Sequence, residues 1–124
     1  TRQSYWTISS GWLFYDKQKM SEYNSDKFNE HQVLEMLEEY IMSTYGKHYS
    51  MNKIQSTEFV FDAGHGEGFC LGNIIKYAQR YGKKDGKNVD DLLKILHYGI
   101  ILLGVEIENE ETRKSFTSKY KQGN

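Results

Sequence analysis

The chain has 124 residues, a net charge of −1, 38% hydrophobic and 27% charged residues, which suits one soluble globular domain and excludes a disordered chain. The near-neutral balance excludes a global basic field for nucleic acid, and the lone Cys70 excludes an intrachain disulfide and fits a reducing compartment. The longest apolar run, YGIILLGV, is far short of the ~20 residues that span a bilayer, and the N-terminus carries no signal-peptide pattern, so no membrane partner and a cytoplasmic location are expected.

Residues 5–16, YWTISSGWLFYD, are aromatic and β-branched around a Ser-Gly pair, which predicts a short β-hairpin or extended element. Residues 17–28 read as loop. Asn29 is placed as an N-cap, with Gln32 able to bond back and Phe28 and Val33 as a hydrophobic staple. Val33, Leu34, Leu37, Tyr40, Ile41 and Tyr45 share one face of a helix over 29–45, with Gly46 as a left-handed stop. Residues 47–63 read as extended, with TEFVFD as a short strand. A second helix is expected from just after Gly68 to Gly82, with Leu71, Ile74, Ile75 and Ala78 on its apolar side. Asn88 caps a third helix to about Leu103, with Val89, Leu92, Leu93, Leu96, Ile100 and Leu103 on its buried face. Residues 106–121 run from acidic to basic, which suits the dipole of an exposed fourth helix. The fold class is therefore mainly α. It is a small single domain over 1–124 of about four helices with an N-terminal β-hairpin or extended element.

Charge is uneven. Residues 22–39 carry six acidic groups and one basic, whereas 69–98 carry six basic and three acidic. A cationic segment inside a neutral chain points to a local anion site. Gly64, Gly66 and Gly68 precede the second helix, but they match neither the P-loop pattern nor the dinucleotide fingerprint. They stand either as a hinge or as a backbone nest for an anion. On the helix that follows, Asn73, Lys76 and Arg80 fall within one arc with Tyr77 beside them. An amide, an ammonium and a guanidinium can bind phosphate. The same stripe also suits a solvated face. Asp90, Lys94 and His97 form a second row, at i, i+4 and i+7, beside Tyr98. This row could orient a substrate or move a proton, or Asp90 and Lys94 could be an ordinary surface pair. Asp91 shares the first turn, where the dipole favours acids, and Lys83 and Lys84 suit a helix C-terminus. The four histidines show no metal-ligand spacing, and no G-x-S-x-G elbow occurs. Glu35 and Glu38 form an E-x-x-E without the second acidic motif of the helical pyrophosphohydrolases, so no metal site is assigned.

The stretch GFCLGNIIKYAQRYGKKDGKNVDDLLKILHYGIILL resembles the core of a small tailed-phage protein family that includes a nucleoside-monophosphate kinase without a P-loop. The resemblance covers residues 48–103. It rests on Phe69, Gly72-Asn73, Lys76-Tyr77, Arg80, Lys83-Lys84, Asp91-Leu92, Lys94 and Tyr98, with His48-Tyr49 upstream. The family pattern frames its His-Tyr with proline, which this chain lacks, and His97 stands where an aromatic residue is usual. The resemblance implies phosphoryl transfer to a nucleoside monophosphate, with ATP as a candidate donor. It implies a catalytic set of Lys76, Arg80, Asp91 and Lys94. Nucleotide contacts would come from His48, Tyr49, Asn73, Tyr77, Lys83, Lys84 and Tyr98. Two alternatives stay open: a binder of a nucleotide or signal nucleotide without catalysis, and a phage protein that binds a host factor through residues 1–46. A site assembled between copies in a homo-oligomer is a further expectation, from the 15% aromatic content and short helices.

Overall fold

The computed structural model describes residues 26–46 and 48–121, and for residues 48–51 the backbone alone. The described residues are mainly α-helical, with five helices and no strand among them: α1 (Glu30–Gly46), α2 (His48–Asp62), α3 (Gly66–Arg80), α4 (Val89–Glu106) and α5 (Glu110–Tyr120). The hairpin expected over 5–16 lies outside the described residues. Two compact units divide the chain, residues 1–39 and 40–124, with the boundary inside α1. None of the described helices is long and apolar enough to cross a membrane.

In the first unit, α1 begins one residue later than the sequence suggests, and its cap differs. The backbone N–H of His31 donates to Asp26 Oδ1 at 3.3 Å, and the His31 ring pairs with the same carboxylate. Asn29 adopts φ +58°, a left-handed conformation that asparagine tolerates, while its carbonyl accepts from Val33 N–H. Phe28 is largely exposed, so the staple with Val33 is not formed. An acidic side chain three residues before Asn29 does the capping, at a spacing the usual N-cap pattern does not contain.

The second unit is built on three helices, in which α3 packs along α4 and α2 packs against α3. The largest correction to the sequence reading is α2. Residues 48–62 are helical, not extended, and TEFVFD forms the last turns of a helix. Gly64 explains where it stops. At φ +87°, its N–H donates to the Phe61 carbonyl while the His65 N–H reaches back to Val60, both at 3.0 Å. This is the paired bonding of a Schellman cap, in which glycine supplies the left-handed residue. Gly46, by contrast, remains helical and is no left-handed stop.

The glycines after Gly64 belong to α3 and not to a loop. The helix starts at Gly66, three residues before the expected start at Phe69. Gly66 is buried, and a Cβ there would run into the Phe61 ring. It therefore permits close packing of the end of α2 on the start of α3. Gly68 has open space around it. The α3–α4 loop uses Gly82 (φ +84°) and Gly86 (φ +65°), closed by a 2.8 Å bond from Gly82 N–H to the Gly86 carbonyl. Asn88 caps α4 as expected, accepting from Asp90 N–H at 2.9 Å. Asn109 caps the exposed α5 in the same way, through Glu111 N–H.

The two first-turn glycines should respond oppositely to alanine. Gly66→Ala should lower stability by about 1–3 kcal/mol, because the Phe61 ring must be displaced. Gly68→Ala should raise it by up to about 1 kcal/mol through helix propensity alone. Urea unfolding followed by circular dichroism reads both.

Candidate functional site

The helix α3 is turned the other way from the sequence expectation. Its buried residues are Gly66, Cys70 and Tyr77, with Asn73 and Arg80 half-buried in the same arc. Most of the expected apolar side points outward instead: Leu71 and Ala78 are exposed and Ile75 is 69% exposed, while Ile74 stays half-buried. The opposing helix α4 makes this possible. It supplies Asp91, fully buried, together with half-buried Lys94, Ile95 and Tyr98. A polar face can be covered only where its groups meet partners, and α4 carries charges and rings at matching heights.

The first such match is at the C-terminal end of α3. Arg80 Nη2 donates to Asp85 Oδ2 at 3.3 Å, and Arg80 Nε lies 3.6 Å from Asp91 Oδ1. Asp91 is 1% exposed. The Asp91 Oδ2 and Arg80 Nε atoms are buried without a hydrogen bond among the described residues. The dipole of α4 favours a carboxylate in its first turn, and the guanidinium supplies the opposite charge. Arg80 thus ties three segments together, the end of α3, the loop and the start of α4. Its charge faces two carboxylates, and Asp91 is closed off from solvent.

One helical turn back, Tyr77 forms a buried platform. Lys76 Nζ lies 4.9 Å from its ring centre and Lys94 Nζ lies 5.0 Å from it. The two ammonium groups are therefore at most about 10 Å apart, and each gains from the ring quadrupole. Among the described residues neither makes an ion pair. The expected Asp90–Lys94 surface pair is not formed, because Lys94 leans toward α3. Tyr98 stacks nearly parallel to Tyr77, with ring centres 6.3 Å apart, and meets Phe69 edge-on at 5.8 Å. Asn73 Nδ2 donates to the Phe69 carbonyl at 2.9 Å, so this amide is held by its own helix.

Burial shifts the titration of this aromatic cluster. The Tyr98 phenol is pushed up to about 12, first by burial and then by the neighbouring Tyr77, Tyr40 and Cys70. Tyr40 is also raised, by burial and then by Asp90 and Tyr77. Its ring meets His97 edge-on at 5.6 Å, and burial lowers the His97 imidazole below its ordinary value. His97 therefore packs against the Tyr40 ring and makes no ion pair with Asp90 among the described residues. Tyr40 was legible as a core residue but not as a neighbour of this cluster.

Lys83 and Lys84 are exposed on the α3–α4 loop. His48 and Tyr49 open α2, where the backbone alone is described. No group of three or more metal-ligating side chains occurs among the described residues. An open cavity of about 720 Å³ lies along α5, lined by Glu110, Arg113, Lys114, Thr117, Ser118 and Lys121. Five come from α5 and the sixth, Lys121, is its C-cap, and one helix cannot enclose a ligand by itself. The convergent cations on α3 and α4 are the better candidate site.

Residues 43–99 match a family described as a protein of unknown function (DUF3310). The matched span contains α2, α3 and the first part of α4, and so includes both lysines of the Tyr77 platform. No curated protein and no solved structure matches the chain.

The perturbed groups give stability a pH signature. Tyr98 has a folded pKa near 12, above the ordinary 10.0, so its contribution is complete below pH 10 and is lost as pH rises toward 12. His97 is depressed below 6.5, so its contribution is present above that pH and is lost as pH falls. Thermal melts from pH 4.5 to 11.5 should show Tyr98→Phe flattening the alkaline limb and His97→Leu flattening the acid limb.

Proposed function

We propose that the α3–α4 helix pair binds the phosphate of a nucleotide through Lys76 and Lys94. In this reading the protein acts in nucleotide metabolism, transferring a phosphoryl group to a nucleoside monophosphate. The observation that carries the phosphate reading is the pair of ammonium groups gathered on one buried ring without a carboxylate partner. Like charges at this spacing repel, and an anion placed between them relieves the repulsion. Phosphoryl transfer needs positioning and stabilisation of charge on the transferring group, which two fixed ammonium groups can supply. The transfer step, with ATP as donor, rests on the resemblance of residues 48–103 to the phage kinase-containing family.

The roles then divide by exposure. Lys76 and Lys94 contact the phosphate. Tyr77 holds both ammonium groups near its ring and is too buried to stack on a base. Arg80, Asp85 and Asp91 are positioning residues that fix the register of α3 against α4. Tyr98, stacked on Tyr77, and Phe69, edge-on to Tyr98, are half-buried, and an aromatic edge there can meet a base or sugar. Lys83 and Lys84 extend the cationic field along the loop.

A second reading is favoured by one observation. Asp91, the carboxylate in the implied catalytic set, is buried against Arg80 and is not presented to a ligand. A protein that binds a nucleotide without transforming it fits that arrangement. Calorimetric titration with nucleoside monophosphates and ATP, followed by a turnover assay, separates the two. Lys76→Ala and Lys94→Ala should each weaken binding tenfold or more, the equivalent of about 1.5–3 kcal/mol for a charged hydrogen bond. Arg80→Ala should chiefly lower the melting temperature. Binding without turnover selects the second reading, and affinities unmoved by either lysine change defeat both.

A further inference from the structure

The apolar side of α4 lies opposite the face that meets α3. Val89, Leu92, Leu96, Ile100 and Leu103 are between 40% and 60% exposed. At about 100° per residue they form one stripe, on the far side of the helix from Asp91 and Tyr98. The sequence predicts this stripe as a buried face, and the described residues of the second unit leave it exposed. Its flanks are Leu93, Gly99 and Gly104, with Glu106 as a charge at the C-terminal end of one edge.

We propose that this stripe is the contact between two copies of the chain, packed antiparallel about a two-fold axis at Leu96. The spacing carries the choice of partner. Reading from Val89, the steps are three, four, four and three residues. The stripe therefore reads the same from both ends, with Leu96 at its centre. A two-fold interface requires one surface to complement itself. An antiparallel pairing sets Leu96 against Leu96, Leu92 against Ile100, and Val89 against Leu103.

Two further observations agree. The five side chains leave on the order of 400 Å² of apolar surface per copy, more than scattered exposure gives. Doubled across the axis and extended by the flanking residues, this approaches the roughly 1,000 Å² of a specific interface. Gly99 and Gly104 lie inside the helix, where glycine costs about 1 kcal/mol relative to alanine. Neither has left-handed backbone, and a Cβ at either meets nothing within 4 Å. The packing of the described residues does not require them, whereas a second helix approaching beside them would. This interface is independent of the phosphate reading, because Lys76 and Lys94 lie on the other side of α4.

Sedimentation equilibrium of the full chain tests it. The expected mass is twice the 14.6 kDa of one chain, or a higher even multiple. Leu96→Glu places two carboxylates on the axis and should return the mass to 14.6 kDa with the circular dichroism spectrum retained. Leu96→Cys keeps an uncharged side chain and should form a covalent dimer on mild oxidation, while the native Cys70 is fully buried. This second variant decides the matter if the glutamate variant unfolds. A monomeric wild-type chain, whose stripe is then covered by its own residues or by another protein, overturns the proposal. So does an oligomer that survives Leu96→Glu, or one whose Leu96→Cys form gives no covalent dimer.

Discussion

The second unit depends on a buried carboxylate. Asp91 sits under the Arg80 guanidinium at the point where the α3–α4 loop closes. Taking such a pair out of water recovers little net stability, but deleting one partner strands the other charge at a cost of about 3–5 kcal/mol. Its main effect is therefore on register. With Arg80 held between Asp85 and Asp91, the neighbouring turn of α3 brings Tyr77 level with Lys94. A slip of one residue along either helix would rotate its side chains by about 100° and separate the two ammonium groups. The candidate site is in this sense a product of the ion pair beside it.

That arrangement gives the helix pair an unusual distribution of polarity. The contact between α3 and α4 is lined by Cys70, Tyr77, Tyr98, Asp91, Ile95 and the stems of long cations, while Leu71, Ile75, Leu92, Leu96 and Ile100 are exposed. Tyrosine makes this workable, because it buries a large ring and keeps a polar tip. Lysine contributes similarly, covering apolar surface with its stem while its ammonium group stays near water. A chain with ten tyrosines and sixteen lysines and arginines can fill such an interface without strongly apolar side chains. The exposed leucines and isoleucines are then available for contacts beyond the single chain.

Much of the helical architecture was legible in the sequence, for local reasons. Asn88 before an acidic first turn, Gly82 after Arg80, and the apolar period of α1 and α4 are all signals that act within a few residues. The helix α2 was not legible, because Phe59, Val60 and Phe61 have β propensity and the deciding residue, Gly64, lies beyond them. Helix and strand propensities differ by less than the energy of packing Phe61 on Gly66, so tertiary contact prevails. The set of residues sharing an arc of α3 was also legible. Which arc is covered was not, since periodicity identifies a face without identifying its neighbour. The pairing of Arg80 with Asp85 and Asp91 likewise spans a loop whose closure no helical spacing rule describes.

The division of the chain at Glu39–Tyr40 also separates its chromophores. Both tryptophans, Trp6 and Trp12, belong to the unit of residues 1–39, whereas the Tyr77, Tyr98 and Tyr40 rings belong to the other. Emission excited at wavelengths where only indole absorbs therefore originates in the first unit alone. Ultraviolet absorbance of phenolate, by contrast, reports mainly the second, which holds seven of the ten tyrosines, the other three being Tyr5, Tyr15 and Tyr23. The indole signal can accordingly be compared, through the same denaturation and without labels, with a tyrosine signal weighted toward the other half. Whether their transitions coincide is a direct measure of how far the molecule unfolds as one cooperative body.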